Sequence, residues 1–351
     1  MKSTIAPSTT ILSLLLLLVA CSSGPQRPSG SSVADGAKAA TKTVIVAIQV
    51  EPPNFDNSLN AGGGNPNAGG QSNVRHIAHD RLTAHTQSGE YEARLASEKP
   101  SIENGTWRAN PDGSMDMTWK LRPGIKWHDG APFTSDDMMF TFQVRQDPQL
   151  PRTATGGGRP DLMLSADAPD PLTFVVHWRE VYVRADEASG LEPLPRHLLE
   201  DTYRQNKEGL ITSRYFTSEF IGLGAFKLDR WEPGSHIDFT RFDDYYRGPA
   251  GLDRIIVRFI PDSSAMVSNI LAEAVDVVLP EGVDLDAALE LRRRWQGTAN
   301  QVRIDVISGL EQLEIQHRLE YAQPKNGSPN RTVRQALYQA LDRQALADAM
   351  T

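Results

Sequence analysis

The sequence predicts a mixed α/β protein built as two or three lobes, and three observations carry that reading. Its 351 residues exceed an ordinary compact domain of roughly 100–150 residues. Met115, Met117, Trp119 and Leu121 alternate with polar neighbours, the period-two signature of a half-buried strand. Val333, Ala336, Leu337, Ala340 and Leu341 recur at helical spacing and predict an amphipathic helix. Strands interleaved with helices and joined by hairpins point away from a simple parallel repeat.

Residues 1–20 begin with Lys2 and close on the apolar run Ile11–Ala20. That run is about half the length a bilayer core needs, and behind a short charged start it predicts a secretory signal. Residues 21–42 lack any apolar period and predict a flexible Ser/Gly/Pro tether. Cys21 is the one cysteine, which excludes an internal disulfide and a cysteine-rich zinc site. A lone cysteine is most often a buried free thiol, yet this one stands between a signal segment and a tether, where no core exists to bury it. Leu18-Val19-Ala20-Cys21 resembles the bacterial lipobox. The resemblance implies cleavage before Cys21 and diacylation of its thiol, and two acyl chains anchor durably.

The fold proper starts at Thr43, where Thr43–Val50 is rich in β-branched residues and predicts a buried strand. The glycine-rich stretch 61–70 lacks the Gly-Lys-Ser/Thr ending that a phosphate-binding loop requires, so it reads as a loop near a cleft or as spacing. After the strand at 114–121, Pro123-Gly124 turns the chain, and Thr134 to Asp137 forms a capping box that opens a helix carrying Met138, Met139 and Phe142. Further strands are expected at 174–178, 226–230, 237–241 and 252–260, the second and third joined as a hairpin through Trp231-Glu232-Pro233-Gly234. A helix over 264–274 and a short strand over 275–279 follow. The last helix carries no cap or glycine stop before Thr351.

The charge balance, 36 Lys+Arg against 44 Asp+Glu, gives a net charge of −8. No basic stripe exists; Arg292-Arg293-Arg294 is short and reads as a solvated helix face, so a nucleic-acid partner is excluded. A mean hydropathy of −0.40 describes a soluble chain with a sizeable core. There is no Gly-x-Ser-x-Gly elbow and no triad to argue, so no catalytic residue is assigned. His76 and His79 could share a helix face near His85, but no glutamate follows as a zinc protease requires. A solvated or capping role is the better reading for them. His128-Asp129-Gly130 fits a turn between strand and helix. Asp243-Asp244-Tyr245-Tyr246 could face a ligand and fits an exposed strand end better.

Four ordered stretches resemble one family, the extracytoplasmic solute-binding proteins of the dipeptide, oligopeptide and nickel ABC importers. They are Trp119–Asp137, Gly222–Gly234 with Asp244–Gly248 behind it, Leu252–Asp262 leading to Val275-Asp276-Val277, and Val333–Leu346; Pro193–Leu198 fits the same order. Departures occur: Gly224-Ala225-Phe226 stands where the family usually has Gly-Pro-Tyr, Phe242-Asp243 where Asn-Pro is common, and Glu273-Ala274 where Gly-Glu is usual. The resemblance implies a type II periplasmic-binding-protein fold of several lobes. Residues 43–95 and 188–275 would make lobe I, 96–187 an inserted lobe II, and 276–351 the start of an incomplete lobe III, since family members are generally longer.

It further implies an extracytoplasmic, membrane-anchored monomer in the periplasm or at the cell surface that captures a peptide or similar small solute and delivers it to ABC permease subunits. No catalytic step, cofactor or metal is implied. The acidic group that pairs with a peptide amino terminus would lie beyond Thr351. On this chain the cleft candidates are Asn54, Phe55 and Asp56 after the first strand, with Trp231 and Tyr245. A membrane-tethered hydrolase and a surface binding protein without transport are the alternatives.

Overall fold

In chain order the first elements are β1 (Thr43–Ile48), α1 (Gln71–Ala78), β2 (Thr83–His85), β3 (Tyr91–Ala93), β4 (Trp107–Ala109), β5 (Met115–Lys120), α2 (Ser135–Gln146), β6 (Met163–Asp170) and β7 (Thr173–Trp178). There follow α3 (Arg196–Gln205), α4 (Lys207–Ile211), β8 (Phe226–Glu232), β9 (His236–Arg241), β10 (Arg254–Phe259), α5 (Ser263–Leu271), β11 (Val277–Val278), α6 (Leu285–Arg294) and α7 (Arg331–Ala340). They come from a computed structural model that describes residues 41–56, 71–86, 89–150, 159–188, 190–280, 282–304, 330–342 and 344–345. The expected signal segment, Cys21, nearly all of the expected tether and the glycine-rich stretch 61–70 lie outside the described residues.

β1 reads as one apolar run because it lies inside a five-stranded sheet of order β11-β1-β10-β9-β8 and is covered on both faces. Val46 and Ile48 pack into one core with Phe239 and Val257, while Ala47 faces another made by Ile260, Met266 and Ile270. The strand runs parallel to β10, from Thr43 opposite Arg254 to Ile48 opposite Phe259, and parallel to β11. β8, β9 and β10 pair antiparallel. Two carboxylates finish the ladder: Asp253 accepts from the Lys42 N–H at 2.8 Å and Asp276 from the Ile45 N–H at 2.7 Å.

A second, antiparallel sheet has the order β4-β5-β7-β6. Met115, Met117 and Trp119 of β5 are buried and lie opposite Trp178, Val176 and Phe174 of β7, as their alternation requires. With Leu95, Trp127 and Phe133 they form a separate core.

α2 joins the two cores. Its N-terminus is closed by the expected box, in which the Asp137 carboxylate accepts from the Thr134 N–H at 3.0 Å. Asp137 also accepts from the Arg196 N–H at 3.0 Å and Trp127 Nε1 at 3.3 Å. Met138 and Phe142, one turn apart, enter the core of the second sheet. Phe140 and Val144, one turn apart on another face, enter the core of the first. A helix buried on several faces belongs to the interior.

His128 occupies the expected turn and locks it. Its backbone N–H donates to the Gly222 carbonyl at 3.0 Å, its Nδ1 accepts from the Gly222 N–H at 3.1 Å, and its Nε2 lies 3.0 Å from the Gly224 carbonyl. With Nδ1 accepting, Nε2 carries the proton, so the ring is neutral.

Several elements depart from expectation. β8 runs on to Glu232, so Trp231 lies in the strand and not in the turn; its ring packs on Phe55 and its Nε1 is bonded to Glu51. α5 stops at Leu271, and Glu273 has a left-handed φ of 54°. α7 ends at Ala340, where Leu341 is extended and Asp342 caps a new turn by accepting from the Ala345 N–H at 2.9 Å. Arg292, Arg293 and Arg294 are exposed in the last turn of α6, where cations suit the helix dipole.

Candidate functional site

The chain leaving β1 is fixed by its own side chains. Glu51 accepts from Trp231 Nε1 at 2.7 Å and from the Gly234 N–H at 2.8 Å. Asn54 Oδ1 accepts from the Asp56 N–H at 2.9 Å, closing an Asx turn. Phe55 between them is 2 % exposed, its ring centroid 4.4 Å from Phe220 and 5.1 Å from Trp231. Phe55 therefore anchors the segment in the core. The Asp56 carboxylate is turned inward and meets Arg145 of α2, Oδ2 to Nη2 at 2.9 Å.

Behind that pair lies a second buried set. Arg75 of α1 reaches Glu192 at 3.5 Å and Arg81 reaches the same oxygen at 3.8 Å. Burial alone would raise the Glu192 pKa, but Arg75, Arg81 and Arg145 outweigh it and pull it down to about 2. Three guanidinium groups thus face two carboxylates, and one positive charge is left over. Arg145 Nε and Nη1 and Arg75 Nε are buried without a hydrogen-bond partner among the described residues. Buried donors in a cationic corner are suited to carbonyl or carboxylate oxygens.

Tyr245 belongs to a different cluster. Its hydroxyl and that of Tyr246 both donate to Asp80 Oδ2 at 2.9 Å, and Arg94 Nε meets Asp80 Oδ1 at 3.2 Å. Burial, then the Asp80 charge, raises the pKa of each phenol. The structure thus brings Asn54, Phe55, Asp56 and Trp231 together and gives Tyr245 other partners.

His79, expected to be solvated or to cap a helix, is instead buried, with its ring 6.0 Å from Trp127 in a stacked arrangement. Burial first, then Arg75, lowers its pKa to about 3, so it is neutral. Among the described residues no group of three or more His, Cys, Asp or Glu side chains is placed to hold a metal. Sequence reasoning missed Arg75, Arg81, Arg145 and Glu192. The only local signal is the four-residue step from Arg75 to His79 at the end of α1; the other partners are far apart along the chain.

The chain is mixed α/β, with β1 parallel to both its neighbours in one sheet and a second sheet antiparallel throughout, and it shares its fold with solved type II periplasmic binding proteins. The model of the family described as bacterial extracellular solute-binding proteins, family 5 Middle, matches residues 95–351, and the chain belongs to this family. It is 23% identical over 357 residues to heme-binding protein A of Haemophilus influenzae, covering 97% of this chain and 60% of that protein. It is 25% identical over 239 residues to the oligopeptide-binding protein AppA of Bacillus subtilis, covering 67% and 40%. The fold is shared with the oligopeptide-binding protein of Thermus thermophilus complexed with a pentapeptide, at a TM-score of 0.61, 20% identity and coverage of 73% and 47%. The chain spans about half the length of such relatives. No helix among the described residues is long and apolar enough to cross a membrane.

Proposed function

We propose that this chain is the substrate-binding part of an ABC importer, held outside the cytoplasm by lipid on Cys21, and that it delivers a peptide or similar oxygen-rich solute to the permease. The observation that carries the reading is the cationic corner at Arg145 and Arg75, whose buried N–H groups lack acceptors among the described residues, next to the segment Asn54–Asp56. Family membership supplies the class, and relatives named for oligopeptides and haem supply the range of solutes. In this reading residues 43–95 and 188–275 form one lobe, 96–187 an inserted lobe, and 276–351 begin a third. A solute then acts by favouring the closed arrangement of lobes, with no chemical step.

The test is thermal unfolding of the protein with di- and oligopeptides, haem and nickel–histidine. Binding to the folded state alone stabilises by RT ln(1 + [L]/Kd), about 2.7 kcal/mol at a hundredfold excess over Kd. One member of the panel is expected to raise the midpoint in a concentration-dependent way. A flat response to every member would overturn the assignment.

A further inference from the structure

A cavity of about 340 Å³ opens between the end of β3, the turn after β5 and the loop after β9, lined in part by Arg94, Ser97, Arg122, Tyr246 and Arg247. Its size lies within the range of small-molecule sites. We propose that this cavity is an oxyanion site, taking a carboxylate or phosphate group of a small molecule, and that it is separate from the corner at Arg145.

Most polar groups of the wall are already committed. Arg94 is committed: its Nε and Nη2 bond Asp80, and its Nη1 meets Glu92 at 3.1 Å. The Tyr246 hydroxyl is committed to Asp80, and the Ser97 hydroxyl donates to the Lys120 carbonyl at 3.1 Å. Among the described residues Arg247 has only Glu92, at 3.8 Å.

Arg122 is different. Its backbone N–H donates to the Leu95 carbonyl at 2.9 Å and its Nε to the Arg94 carbonyl at 2.6 Å. The first fixes the main chain and the second the side chain, yet neither terminal nitrogen has an acceptor among the described residues. A half-buried guanidinium held by Nε, with both Nη groups open, is preorganised for two parallel bonds to a planar or tetrahedral oxyanion. The charges agree: Arg94, Arg122 and Arg247 face Asp80 and Glu92, which leaves one positive charge on the side of Arg122 and Arg247.

The walls come from both sheets. Arg122 follows β5 of the antiparallel sheet, while Tyr246 and Arg247 follow β9 of the five-stranded sheet. An anion bound to Arg122 and Arg247 would tie those two parts together.

The experiment compares unfolding midpoints of the protein in sodium phosphate, sodium succinate and sodium chloride at one ionic strength. Phosphate or succinate is expected to raise the midpoint above chloride, the stronger of the two identifying the group. Arg122→Ala is expected to weaken the effective affinity about tenfold. Arg122→Lys keeps the charge without the paired donors and should recover only part of it. Arg122 also supports the backbone, so Arg247→Ala, at an exposed position, gives an independent reading and should lower the affinity as well. A chloride-like response in the unaltered protein, or an unchanged response in both Arg122→Ala and Arg247→Ala, overturns the proposal. Peptide, haem or nickel binding is expected to survive Arg122→Ala, so failure of this site and failure of the import reading give different results.

Discussion

At the scale of single residues, the Asp56–Arg145 pair has the largest expected effect. Both side chains are more than nine-tenths buried, and removing one member of a buried ion pair costs about 3–5 kcal/mol. Arg145→Met should lower stability by that amount in urea unfolding, and adding Asp56→Asn should restore part of it. A loss below about 1 kcal/mol would mean that water reaches the carboxylate. The sequence pointed to Asn54, Phe55 and Asp56 as a group, and the structure does join them. It did not show that Phe55 would be core or that Asp56 would point inward, because both outcomes depend on partners more than eighty residues away: Arg145, Phe220 and Trp231.

At the scale of elements, local chemistry told most. The alternation in β5, the box that opens α2 and the β-branched run of β1 were legible because each is decided by neighbours a few residues apart. The end of β8 was not, since Trp231 stays in the strand through contacts with Phe55 and Glu51. The contact between α1 and the Gly222–Gly224 segment was also hidden. There the Gly224 N–H donates to the Ala78 carbonyl at 3.0 Å, and a Cβ on Gly222 would lie 1.9 Å from the Ala78 oxygen. That oxygen is backbone and cannot swing aside. Gly222→Ala should therefore destabilise by about 3 kcal/mol or more, read as a drop in the denaturation midpoint. Gly234→Ala, in open space at a positive φ of 74°, should cost only about 1–2 kcal/mol; equal losses would refute the close approach.

At the scale of the whole molecule, stability should depend on pH through histidines the fold keeps neutral. Burial lowers the His128 pKa from 6.5 to about 4. Between those values the unfolded chain binds the extra proton and the folded one does not, so stability rises with pH across the window and is lost as pH falls through it. The loss reaches about 3 kcal/mol for this residue, since a proton on Nδ1 would face the Gly222 N–H. Urea titrations at about pH 7 and pH 5 should show about 2 kcal/mol of it, and His128→Gln, which cannot titrate, should remove that share and leave the part owed to His79. An undiminished difference in that variant would assign the effect elsewhere. The mixed α/β class was legible from strand spacing and from the family motifs, whereas the division of the strands into two sheets and the buried arginines Arg75 and Arg145 were not. The pairing of β1 has a further consequence, one of time. The Lys42 to Asp253 bond closes 211 residues of chain, and β10 and β11, the strands that flank β1, lie at the far end of that span. At a synthesis rate of about 5–20 residues per second, β1 waits roughly 10–40 s for its neighbours. During that interval an apolar strand with both edges bare is a target for self-association.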